Sequence, residues 1–137
     1  MVIITGGAYQ GKSTFIKNRY PESREKCIDG NEASFDDILK ASCVFNFDAW
    51  IRKEVEKTPR DEWGKLEERM ALKALEIAEK NPKVIIELPE VGLGLVPMDA
   101  LDRCTRECIG RMGCSLVEKA EEVYRLMMGV PMQIKGV

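Results

Sequence analysis

Residues Gly6-Gly7-Ala8-Tyr9-Gln10-Gly11-Lys12-Ser13 complete the spacing G-x-x-x-x-G-K-S/T, whose chemistry is the cradling of phosphates in a P-loop. Glycines let the backbone wrap an anion closely, and the N–H groups opening the next helix point at it with the helix dipole behind them. In such a loop Lys12 reaches the β- and γ-phosphates and neutralises charge spread over the transferring oxygens, while the Ser13 hydroxyl sits on Mg²⁺. These contacts read phosphates and not the base, so ATP and GTP both fit as expected donors.

The metal needs a further acidic group, usually at the end of a neighbouring strand. Asp48 follows Cys43-Val44-Phe45-Asn46-Phe47 at an expected strand end; it also suits a helix N-cap, and the two roles can coexist. Glu87 ends Val84-Ile85-Ile86, and Glu90 opens a glycine loop three residues on. Either carboxylate is placed to orient or deprotonate an attacking hydroxyl, and a solvated loop charge is the alternative for both.

Positioning these groups requires strands that end in loops beside a helix start. Val2-Ile3-Ile4-Thr5 is a short β-branched run that ends at glycines, and Lys12 to Arg19 then reads as a helix stopped by Pro21. Further strands are expected at Lys26 to Ile28, Ser42 to Phe47 and Lys83 to Ile86. Helices are expected after Ser34, from Asp48 to Lys57, from beyond Pro59 through Glu79, and after Asp99. Trp63, Leu66, Met70, Ala74 and Ile77 form one apolar stripe at helical spacing, and Leu101, Cys104, Cys108, Met112 and Leu116 form another. Glu122 to Met128 and Met132 to Lys135, joined at Gly129-Val130-Pro131, read as a β-hairpin. The alternation predicts an α/β fold of three layers, a single P-loop domain over residues 1–137 with a mainly parallel sheet and a C-terminal antiparallel hairpin.

Composition sets the outer bounds. The chain has 137 residues, 45% hydrophobic and 32% charged, with a formal charge of −2. That balance supplies no field for a polyanion, so no nucleic-acid partner is expected. No apolar run is long enough to span a bilayer, and the start lacks the pattern of a secretory signal, so a cytoplasmic protein without a membrane role is expected. Five cysteines without a C-x-x-C pair, and no histidine, make a zinc site a poor reading; Cys104 and Cys108 read as small buried hydrophobes.

Several segments resemble the bifunctional adenosylcobinamide kinase/adenosylcobinamide-phosphate guanylyltransferases of cobalamin synthesis. They are Glu90-Val91-Gly92-Leu93-Gly94-Leu95-Val96-Pro97, Asp102-Arg103, Gly110-Arg111, Ala120-Glu121-Glu122-Val123, Gly129-Val130-Pro131 with Ile134-Lys135, and the opening Ile3 to Ala8 with Gly11-Lys12-Ser13. The resemblance implies a RecA-like sheet, ATP or GTP with Mg²⁺, γ-phosphoryl transfer to the aminopropanol hydroxyl of a corrinoid, and a homotrimer. It implies nucleotide contacts from Gly6 to Thr14, places Glu90 beside the phosphate site as the expected base, and sets Trp50 near a family tryptophan.

The departures are specific. The family's guanylyl transfer runs through a histidine, and this chain has none. The segment that would carry it is reduced to Asp29 through Lys40. Asn46 stands where the family has an aspartate, with Asp48 two residues on; Pro89 replaces an asparagine, and Gly113-Cys114 an asparagine–glutamine pair. Three functions are therefore carried forward: a kinase of the cobinamide type without guanylyl transfer, a P-loop kinase or NTPase with another acceptor, and a regulatory nucleotide-binding module without catalysis.

Overall fold

Short runs rich in Ile and Val form the strands, because branched side chains suit a pleated surface buried on both faces. The computed structural model describes residues 1–7, 11–90 and 99–136. In it β1 (Val2–Gly6), β2 (Cys27–Asp29), β3 (Cys43–Phe45), β4 (Ile85–Glu87), β5 (Glu122–Met127) and β6 (Val130–Lys135) make one six-stranded sheet in the order β2-β3-β4-β1-β5-β6. Every neighbouring pair is parallel except β5 and β6. Among the described residues the α-helices are α1 (Lys12–Arg19), α2 (Phe35–Lys40), α3 (Phe47–Lys57), α4 (Leu66–Lys80) and α5 (Ala100–Lys119). The expected mixed α/β architecture, mainly parallel and closed by an antiparallel hairpin, is present.

Side chains alternate across the sheet and divide its residues between two cores. Ile3, Val44, Ile86 and Val123 pack with the buried stripes of α3, α4 and α5, while Ile4, Cys43, Ile85, Tyr124 and Leu126 cluster with Ile16 of α1. Phe47 and Trp50 are fully buried at the start of α3, with ring centroids 5.4 Å apart, and Phe35 lies 5.8 Å from Trp50. Burying an aromatic of this size contributes on the order of 4–5 kcal/mol at ~25 cal/mol per Å².

The local stop signals largely hold. Ser34 caps α2 in a reciprocal box with Asp37, and Asp99 caps α5 through the Asp102 amide at 2.7 Å. Lys135 donates to the Val117 and Glu118 carbonyls at 2.9 and 2.8 Å, placing a cation on the C-terminus of α5 and tying β6 to it.

Several boundaries differ from expectation, β2 reaching Asp29 and β3 ending at Phe45 ahead of the expected Phe47. The hairpin turns at Met128 and Gly129, both at positive φ, so Val130 and Pro131 belong to the strand. The helix after Pro59 begins as a 3-10 helix, Arg60–Lys65, that contains Gly64, a poor α-former; Trp63 sits there and donates to the Thr58 carbonyl at 3.0 Å. Strand β4 runs to Glu87, so that carboxylate is part of the sheet. Asp48 does not hold the N-cap position of α3: Asn46 does, in the left-handed region at φ 54, ψ 48 and without a side-chain cap bond, and Asp48 falls in the first turn.

Candidate functional site

The carboxyl ends of β2, β3 and β4 and the start of α1 surround a cleft of about 780 Å³. This is the side on which open parallel sheets gather ligands. Gly11 precedes α1 at φ 86, a conformation costly for a side chain with a Cβ, and α1 has no side-chain cap. Among the described residues the first N–H groups of α1 therefore meet no capping side chain. Lys12 is only 7% exposed, and its Nζ donates to the carbonyls of Gly6 at 3.3 Å and Gly7 at 2.6 Å. Ser13 and Thr14 are exposed and line the cleft with Gly11 and Lys12. Ala8, Tyr9 and Gln10 lie outside the described residues.

Acids face this basic wall. Glu87 is 5% exposed, and burial pushes its carboxyl up; the Lys12 cation pulls it back, and the Asp48 and Asp29 charges add to the rise. Asp48 is also pushed up by burial, against the pull of the backbone amides of Ala49 and Asp48 itself and of Lys12. Asp29 goes the other way, held low by the Asn31 amide, which donates to Oδ1 at 2.9 Å; the Asn46 amide reaches the same oxygen at 3.3 Å. Lys12, Ser13, Asp48 and Glu87 thus share one cleft, with Asp29, Asn46 and Lys17 on its walls.

Glu90, the expected base, sits in an ion pair. Its carboxylate is clasped by Arg125 of β5, with Nε to Oε1 at 2.6 Å and Nη2 to Oε2 at 3.2 Å, and it is absent from the cleft lining. Its backbone nonetheless joins the same corner, the Glu90 amide donating to the Gly6 carbonyl at 2.9 Å. The glycine loop after it, residues 91–98, lies outside the described residues. Trp50 belongs to the core. Asp29 went unread as a site residue because Asp-Gly-Asn reads as a turn; its pairing level with Phe45 on the next strand brings it to the cleft.

A mainly parallel sheet whose strand ends gather a lysine, a helix start and two burial-shifted carboxylates defines an α/β protein with a cleft that carries both charges. The chain belongs to the cobinamide kinase / cobinamide phosphate guanyltransferase family, whose model matches residues 39–134. It is also 38% identical over 53 residues to the bifunctional adenosylcobalamin biosynthesis protein CobU of Salmonella typhimurium, a match covering 39% of this chain and 29% of that protein. Asp48, Glu87, Glu90 and Arg125 fall within the family match, whereas the Gly6–Thr14 loop precedes it. Among the described residues no helix is long and apolar enough to cross a membrane.

Proposed function

We propose that the chain is a P-loop phosphotransferase of the cobinamide kinase type, moving the γ-phosphoryl of ATP or GTP to a corrinoid side-chain hydroxyl. The observation that carries this reading is the enclosed Lys12, fixed at the start of α1 in the same cleft as Asp48 and Glu87. When nucleotide displaces the Gly6 and Gly7 carbonyls from Nζ, Lys12 meets the β- and γ-phosphates, and the α1 amides hold the chain of phosphates. Ser13 and Asp48 suit a Mg²⁺ ion in their chemistry, a hydroxyl and a carboxylate that line one cleft. Bound there, the ion would neutralise charge on the β- and γ-oxygens.

Glu87, rather than Glu90, serves as base in this reading. It lines the cleft, whereas Glu90 is committed to Arg125. Its raised affinity for a proton suits it to accept one from the acceptor hydroxyl as the new O–P bond forms and the bond to the β-phosphate oxygen breaks, releasing nucleoside diphosphate. Guanylyl transfer through a histidine is outside this proposal, since these 137 residues include none.

The test is incubation with Mg²⁺, ATP or GTP and adenosylcobinamide, followed by mass analysis of the corrinoid. Addition of one phosphoryl group, lost in Lys12→Ala, is expected. Nucleotide binding without phosphorylation of the corrinoid would count against the kinase reading and favour another acceptor or a binding role.

A further inference from the structure

Gly11 and Thr14 line the acid-walled cleft and also a second cavity, of about 540 Å³. Helical spacing separates the two: Ser13 and Lys17 face the first, while Phe15, Asn18 and Arg19, three and four residues apart, face the second. Gly129, at the turn between β5 and β6, closes the second cavity and packs so near that a Cβ on Gly11 would lie 3.2 Å from its Cα.

The two cavities differ in chemistry. The first carries Asp29, Asp48 and Glu87 together with Lys12 and Lys17. The second has no acid among its described lining residues; it offers the Phe15 ring, the Asn18 amide and the free edge of the Arg19 guanidinium, whose carbon lies 5.7 Å from the centroid of the Tyr20 ring with Tyr124 beside it. Phe15 is held edge-on to Tyr20 at 6.4 Å and tilted against Tyr124 at 5.1 Å, so its ring is a fixed wall. The Asn18 amide has no hydrogen-bond partner among the described residues. An apolar wall with a few convergent polar groups, in a volume within the usual range of roughly 300–1,000 Å³, is the make-up of a small-molecule site.

We propose that this second cavity holds the nucleoside of the nucleoside triphosphate whose phosphates lie at Lys12, an inference that rests on the phosphotransferase reading. The phosphate chain crosses the start of α1 with its γ end toward Glu87, and the sugar leaves past Thr14. The base lies against Phe15. Asn18 offers it one donor and one acceptor, and Arg19 a planar pair of donors. This division keeps metal and acceptor hydroxyl in the acid-walled cleft and the base out of it.

The test compares ATP, GTP and inorganic tripolyphosphate, each with Mg²⁺, by calorimetry on the intact chain and on the double variant Asn18→Ala/Arg19→Lys. Both side chains are exposed, and the replacement keeps the charge. Once the Asn18 amide and the planar Arg19 donors are removed, the affinity for at least one nucleotide should fall by about tenfold or more while that for tripolyphosphate stays within roughly twofold. Nucleotides and tripolyphosphate weakening together, or nucleotides binding unchanged, would overturn the assignment. Failure of the unaltered chain to bind tripolyphosphate or nucleotide would instead bring down the phosphate-loop reading, and this inference with it.

Discussion

Lys12 and Glu87 are each almost wholly enclosed, and each is held where its charge matters to the other. Replacing Glu87 by Gln removes the proton acceptor and should lower transfer by about 10² or more, general-base contributions being typically 10²–10⁴. Glu90→Gln should leave the chemical step nearly intact; it unpairs Arg125, which is 38% exposed at its side chain and rehydrates at small cost. Steady-state rates for the two variants decide between the acids, and a Glu90 variant as slow as the Glu87 variant would return the role to Glu90. The pH profile carries the same information. A base must be unprotonated, and burial raises the Glu87 carboxyl, so transfer should fall on acidification at a pH above the ordinary glutamate range. Stability has the opposite sign. Below the ordinary glutamate range both folded and unfolded chains keep the proton and Glu87 contributes nothing; as pH rises, the unfolded chain releases it more readily and the fold loses stability. Glu87→Gln should therefore be more resistant to denaturant than the parent at neutral pH, and equal to it in acid.

Among elements, the tightest junction joins the exits of β2 and β3. Gly30 donates its amide to the Phe45 carbonyl at 2.7 Å, and a Cβ there would stand 2.1 Å from the Asn46 carbonyl oxygen. Backbone must shift to admit it, and Asn46, already left-handed, leads straight into Asp48. Gly30→Ala should cost about 2 kcal/mol or more by denaturant unfolding, in the range of overpacked cores, and should weaken Mg²⁺-dependent nucleotide binding as well. Replacing Lys135 by Met removes the cation on the last carbonyls of α5 and should cost about 1 kcal/mol by the same measurement, without altering the affinity for nucleotide. These elements also show what the sequence made legible. Strands, helices and the caps at Ser34 and Asp99 follow from local pattern, and so does the helix that starts at Lys12 behind Gly11. What local pattern does not encode is which strand lies beside which. Placing β4 between β1 and β3 brings Glu87 to the cleft floor, while the ion pair that occupies Glu90 depends on β5 lying on the far side of β1. Asn46 as the cap, in place of Asp48, is equally non-local, because the close pass of Gly30 crowds the Asn46 carbonyl.

For the whole molecule, the proposed ligand ties together parts far apart in the chain. The start of α1, β2, β3 and β4 all contribute to one cleft, so a nucleotide that binds the folded state alone stabilises all of them at once. At one hundred times its dissociation constant it should add about 2.7 kcal/mol, seen as a rise of several degrees in the melting temperature with Mg²⁺ and ATP or GTP. Lys12→Ala should abolish the rise; an equal rise in the variant would place the binding energy elsewhere. The same topology has a consequence for internal motion. Strands β1 and β4 each lie between two parallel neighbours, and the Val2 and Leu88 amides are bonded across them, to Val84 and Ile4, at 3.0 and 2.9 Å. Such amides trade their hydrogens for solvent deuterium only when the whole sheet opens, whereas the turn at Met128 and Gly129, on the rim, exchanges by local fluctuation. Hydrogen exchange should therefore rank the rim turn ahead of the sheet floor, the two differing in how fast they open.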